Sequence, residues 1–124
     1  SLLFLKANAF LTPDFTKIGK DPEILSLNPP YLIPGSIIKI IGSNFFKIPI
    51  SANKVYINNI LAKIISAKEN ELEVRIPRVR NTKDGEIKIF TEYLGYRSKE
   101  ATIKNLPITF NPPNIKNTNT YLVT

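Results

Sequence analysis

Residues 71–76, ELEVRI, alternate without a fault: Leu72, Val74 and Ile76 fall on one side, Glu71, Glu73 and Arg75 on the other. A two-residue repeat suits a strand with one face in a core and the other in water. Pro77 ends the run, because proline has no N–H to give to a ladder. The pattern recurs. After Lys83-Asp84-Gly85, residues 86–91 (EIKIFT) alternate again, with Ile87 and Ile89 inward and Lys88 outward. Residues 24–27 stop at Asn28-Pro29-Pro30, and residues 37–41 stop at Gly42. Residues 54–57 close on Asn58-Asn59, which tolerate positive φ and suit a tight turn. Residues 62–67 and 98–103 complete the series, and no segment has helical periodicity. About seven short strands at this spacing predict an all-β fold, an antiparallel sandwich.

Composition agrees and removes chemistry. Ten prolines against five glycines exclude long helices, and 43% hydrophobic residues in a chain of 124 are enough for one core. The chain has no Cys and no His. Disulfides are therefore excluded, and most zinc ligands and the common nucleophile–base pairs are missing. Glu71 and Glu73 share an outer strand face, and nothing resembles a calcium loop of alternating Asp ending in Gly. No catalytic, cofactor-binding or metal-binding residue is assigned. No stretch approaches the ~20 apolar residues of a membrane helix.

The run at 34–45, PGSIIKIIGSNF, could be taken for a phosphate loop behind a strand. Such a loop needs converging glycine N–H groups and usually a following helix. Here Gly42 is the only glycine after the strand, no Gly-Lys-Ser/Thr follows, and Phe45-Phe46 lead toward Pro49. A structural corner fits better: Gly42 would turn the chain out of the strand, Asn44 would satisfy turn backbone groups, and Phe45 would fold over the core.

That stretch and the strand segments on either side of it resemble the IPT/TIG family of immunoglobulin-like domains. The elements are Ile24, Leu27 and Pro29, then Pro34-Gly35, Ile38 and Ile40, then Gly42-Ser43-Asn44-Phe45. Val55 and Ile57 with Asn58-Asn59 come next; Ala62, Ile64 and Ser66 fit the strand after them. Leu72, Val74, Ile76 and Pro77, then Asp84-Gly85, Ile87 and Ile89, and finally Gly95 and Ser98 complete the order. The resemblance spans residues 24–104, with residues 47–53 as an insertion-like departure. It implies an early-set immunoglobulin-like sandwich of about seven antiparallel strands. It also implies a non-catalytic spacer and partner-binding module in a bacterial exported or cell-surface protein, a cytoplasmic location being the alternative.

The flanks differ from this body. Residues 1–22 are expected to be an extension or linker, 23–104 the domain, and 105–124 a second extension rich in Asn and Pro. An apolar start before Ala7-Asn8-Ala9 is compatible with a signal-peptide remnant over 1–9. If Ile38 and Ile40 face inward, Ile37 and Ile41 face out beside Lys39, where the N-terminal segment or a neighbouring domain could cover them.

Net charge is +7, from 17 basic and 10 acidic residues, which favours anionic partners. The densest basic run is Arg75, Arg78, Arg80 and Lys83. It can be read as a solvated loop, with Arg75 paired to Glu73 or a neighbouring strand. It can also be read as a grip on acidic polysaccharide or phosphates. Nucleic acid is disfavoured, because no aromatic side chains are interleaved to stack bases. Tyr93 and Tyr96, around Gly95, are candidates for an exposed platform or for packing over a hairpin end. The expected partners are neighbouring domains or another protein, with an anionic polysaccharide as the alternative ligand.

Overall fold

The alternating segments pair into two antiparallel sheets. The structure, a computed structural model, describes residues 12–79 and 84–110. One sheet holds β1 (Glu23–Asn28), β2 (Ile37–Ser43), β6 (Glu71–Arg75) and β5 (Lys63–Lys68), in that order. The other runs β4 (Ile60–Leu61), β3 (Asn53–Ile57) and β7 (Asp84–Tyr93). Beyond β7, β8 (Tyr96–Arg97) and β9 (Ala101–Pro107) each pair with it.

Register turns the sequence pattern into a core. Across the first sheet Leu27, Ile40, Leu72 and Ala67 form one row, and Ile38, Val74 and Ile64 the next. Facing them, Val55, Ile89 and Ala101 form a row, and Ile57, Ile87 and Ile103 another. Ile38, Ile40, Val55, Ile57, Leu72, Val74, Ile87 and Ile89 are wholly buried. Each such side chain contributes about 1.5–3 kcal/mol over its exposed state, which offsets chain entropy without any disulfide.

The far end is closed by Leu32, fully buried after β1. Its N–H donates to the Pro107 carbonyl at 2.8 Å, and its carbonyl accepts from Thr109 N–H at 2.9 Å. This parallel bridge between Leu32 and Ile108 fastens the edge of one sheet to the last strand of the other. The final strand therefore runs past Ile103 to Pro107, with Ile108 joined to it by that bridge.

Two expectations change, and one strand departs from simple alternation. Ser66 lies in β5, as expected, but on its exposed side. A bulge between Ile64 and Ser66 shifts the register, leaving Ser66 exposed and turning Ala67 inward. Gly42 does not make the turn. The positive φ of 64° belongs to Asn44, whose amide donates to the Asp21 carbonyl at 3.0 Å rather than to its own turn. Of the outer isoleucines, Ile37 is not covered by the N-terminal residues that the structure describes: it is 40% exposed, and residues 12–20 dock at the other end of the sheet, whereas Ile41, at that end, is half-buried.

That docking explains residues 47–53. The Asp14 carboxylate accepts the N–H groups of Lys47 and Ile48, at 2.6 and 3.1 Å. Asn53, only 3% exposed, accepts from Phe46 N–H at 2.8 Å and donates to the carbonyls of Phe46 and Ile50, at 2.7 and 3.2 Å. Phe46 then rests on Tyr93, ring centroids 5.6 Å apart, and Tyr93 on Phe15 at 6.3 Å. The insertion-like loop is thus tied at both ends. Asn53→Ala leaves buried partners unsatisfied and should cost about 2 kcal/mol in urea denaturation. A loss under about 0.5 kcal/mol would mean water replaces the amide there.

Candidate functional site

Arg75 closes β6 on the outer face of its sheet, one step before Ile76 turns into the core. Across the ladder it stands opposite Ile37 on one side and Lys63 on the other. Its guanidinium donates to the Gly35 carbonyl at 2.8 Å. Gly35 holds a φ of +85°, where a Cβ would be strained, and its N–H donates to the Ile76 carbonyl at 2.8 Å. The Pro34-Gly35 turn thus anchors the arginine. Glu73, considered as its partner, faces Lys39 and Ser66 instead.

Lys63, Arg75 and exposed Arg78 share one open depression, with Leu61 and Pro77 beside them. Sequence reasoning placed Arg75 and Arg78 together but missed Lys63, twelve residues upstream of Arg75. Only the register of β5 on β6 could have shown it. Arg80 and Lys83, from the same basic run, lie outside the described residues.

Three ion pairs lie elsewhere: Lys17 with Glu69, Lys88 with Glu86 at 3.6 Å, and Arg97 with Glu100 at 3.6 Å. Among the described residues, Lys63, Arg75 and Arg78 have no carboxylate partner. Like charges directly opposite on neighbouring strands repel. Lys63→Glu should therefore raise stability by about 0.5 kcal/mol, read as a higher denaturation midpoint. A lower midpoint would show that the pair carries no such cost.

Tyr93 and Tyr96 are cross-strand partners around Leu94 and Gly95, whose φ values are 50° and 82°. They do not form one platform. Tyr93 is committed to Phe46 and Phe15, whereas Tyr96 is 63% exposed. A different aromatic cluster lies on the outer face of the second sheet. Phe90 points away from the core yet is only 6% exposed. Tyr56 stacks on it at 5.9 Å, and the Arg97 guanidinium carbon sits 3.9 Å over its ring. This cation–π contact and stack form one wall of an open depression that Asn59, Lys88 and Glu100 complete. Among the described residues no group of acidic side chains could hold a metal ion, and no helix is long and apolar enough to cross a membrane.

Two antiparallel sheets packed through aliphatic rows define an immunoglobulin-like sandwich. The chain belongs to the IPT/TIG domain family, whose sequence model matches residues 22–102. Domains of this family are generally non-catalytic. None of the curated proteins matches the chain.

Solved structures share the fold. An auxiliary nutrient binding protein from Bacteroides ovatus matches with a TM-score of 0.55 at 21% identity, over 73% of this chain and 21% of its own. A protein of Bacteroides thetaiotaomicron, classed provisionally as a phosphatase, matches with 0.55 at 20% identity, over 73% of this chain and 18% of its own. A γ-CGTase from an alkalophilic Bacillus clarkii matches with 0.51 at 22% identity, over 73% of this chain and 12% of its own. The chain thus spans about a fifth or less of these proteins.

Proposed function

We propose that the chain is a non-catalytic spacer and partner-binding module of a bacterial exported or cell-surface protein, with residues 23–104 as its body. One observation carries this reading: the polypeptide enters and leaves the sandwich at opposite ends. β1 starts at Glu23 opposite Ser43, beside the Phe45 corner, where Asp21 accepts the Lys99 N–H at 2.9 Å. β9 finishes at Pro107, beside Leu32 at the other end. At about 3.4 Å per residue, a seven-residue strand separates its two ends by roughly 20 Å. Flanking domains are held apart by a rigid body whose two sheets are locked by their core.

The sheet edges support the same reading. β5 carries Lys63, Lys68 and a bulge, β1 has a bulge between Ile24 and Ser26, and β4 has two residues. These three edges resist adding further strands, whereas β9 pairs with β7 alone, so partners are met through loops or that edge strand. Relatedness in fold to modules within longer bacterial proteins is compatible with this role.

The test uses the complete gene product in its bacterium. Protease added to intact cells should release fragments containing residues 23–104, and replacing this body with an unrelated sandwich of equal length should preserve assembly of its neighbours. Recovery solely from the cytosol, or neighbours that fail to assemble on that replacement, would overturn the spacer reading.

A further inference from the structure

We infer that the depression formed by Lys63, Arg75 and Arg78 is a binding site for an acidic polysaccharide, one carrying carboxylate or sulfate groups. The inference rests on that surface alone and stands whether or not the spacer reading holds.

Three independent features converge there. The first is the register: Lys63 lies directly across from Arg75, so two cations share one strand-to-strand step. Repulsion at that step is relieved when an anion sits between or above them. The second is anchorage. One guanidinium nitrogen of Arg75 is held by the Gly35 carbonyl at 2.8 Å, which fixes the group while leaving its other N–H donors free. An arginine already ordered loses less entropy when it forks onto paired oxygens. The third is clustering. Arg78 lines the same depression as Lys63 and Arg75, and among the described residues none of the three has a carboxylate partner.

The surroundings select the class of anion. Leu61, 57% exposed, and Pro77 border the cations, and no aromatic residue lines the depression. A nucleic-acid strand would find no ring on which to stack its bases. A saccharide chain needs none: its acidic groups meet the cations, and its C–H faces can lie on leucine and proline. An open, shallow surface also suits a long polymer that crosses it rather than a small molecule that must be enclosed.

The experiment measures binding of the full chain to polygalacturonate and to heparin, with uncharged dextran and a duplex DNA as comparisons. Binding to at least one acidic polysaccharide is expected at low salt, falling steeply as salt shortens the reach of the charges. K63A/R78A should weaken it about tenfold. K20A/K99A removes the same charge from exposed lysines at the opposite end and should change it less than about twofold. Because the side chains of Lys63 and Arg78 make no hydrogen bond or ion pair among the described residues, K63A/R78A should melt no lower than the parent. Absence of binding at low salt, or equal losses in the two double variants, would overturn the site. DNA bound as tightly, with the same dependence on Lys63 and Arg78, would overturn the ligand class.

Discussion

Replacing Phe45 by alanine lowers the stability of this domain by about 3 kcal/mol, seen as an earlier urea midpoint with little change in slope. The ring is wholly buried and belongs to the central cluster, not to the smaller group of Phe46, Tyr93 and Phe15. It reaches that position because Asn44, at a φ of 64°, reverses the chain just after β2. The Phe45 N–H then donates to the Glu69 carbonyl at 3.0 Å, tying the corner to the β5–β6 turn. Truncation removes the plug from the upper end of both sheets, and backbone held on two sides cannot collapse into the space. The cost therefore combines lost transfer energy with a residual cavity. Phe45→Leu, which refills part of the space, should cost roughly half as much. An alanine variant within about 0.5 kcal/mol of the parent would show that the ring does not support the core.

Which parts of this structure could be seen in the sequence depends on which forces are local. Strand alternation is local, so the inward faces of ELEVRI and EIKIFT were legible, and so was the Asn58-Asn59 turn, both residues having positive φ. Phe45 was legible because a large apolar residue after a strand has few places to go. Features that depend on a neighbouring strand were not legible. The bulge that turns Ala67 inward in place of Ser66 is a compromise between β5 and β6. Phe90 sits in an outward register position, and it is buried only because Tyr56 and Arg97 from other strands cover it. The candidate site was half legible for the same reason. Arg75 and Arg78 adjoin in sequence, but Lys63 joins them through a pairing.

Gly42 shows how a correct residue can be read for the wrong cause, and its substitution carries the other large effect. Its φ is not in the left-handed region, so conformational freedom does not explain it. Proximity does. A Cβ there would lie 1.9 Å from the Glu23 carbonyl oxygen and 2.8 Å from Cζ of Phe45. The first contact is with backbone that is paired across the ladder, Ile24 to Gly42, and the second with the tip of a wholly buried ring. Neither can yield cheaply, so Gly42→Ala should cost about 3 kcal/mol. Gly95 is the opposite case. Its φ is +82° and nothing lies within 4 Å of a Cβ built there. Gly95→Ala should therefore cost about 1 kcal/mol, from backbone strain alone. The two causes of the Gly42 effect can be separated by combining it with Phe45→Leu. If the ring contact matters, the double variant should be more stable than the sum of the single losses by at least about 0.5 kcal/mol. The remaining loss belongs to the collision with β1. Strict additivity would place the whole effect on that strand, and a Gly42→Ala protein as stable as the parent would mean β1 does not lie this close to β2.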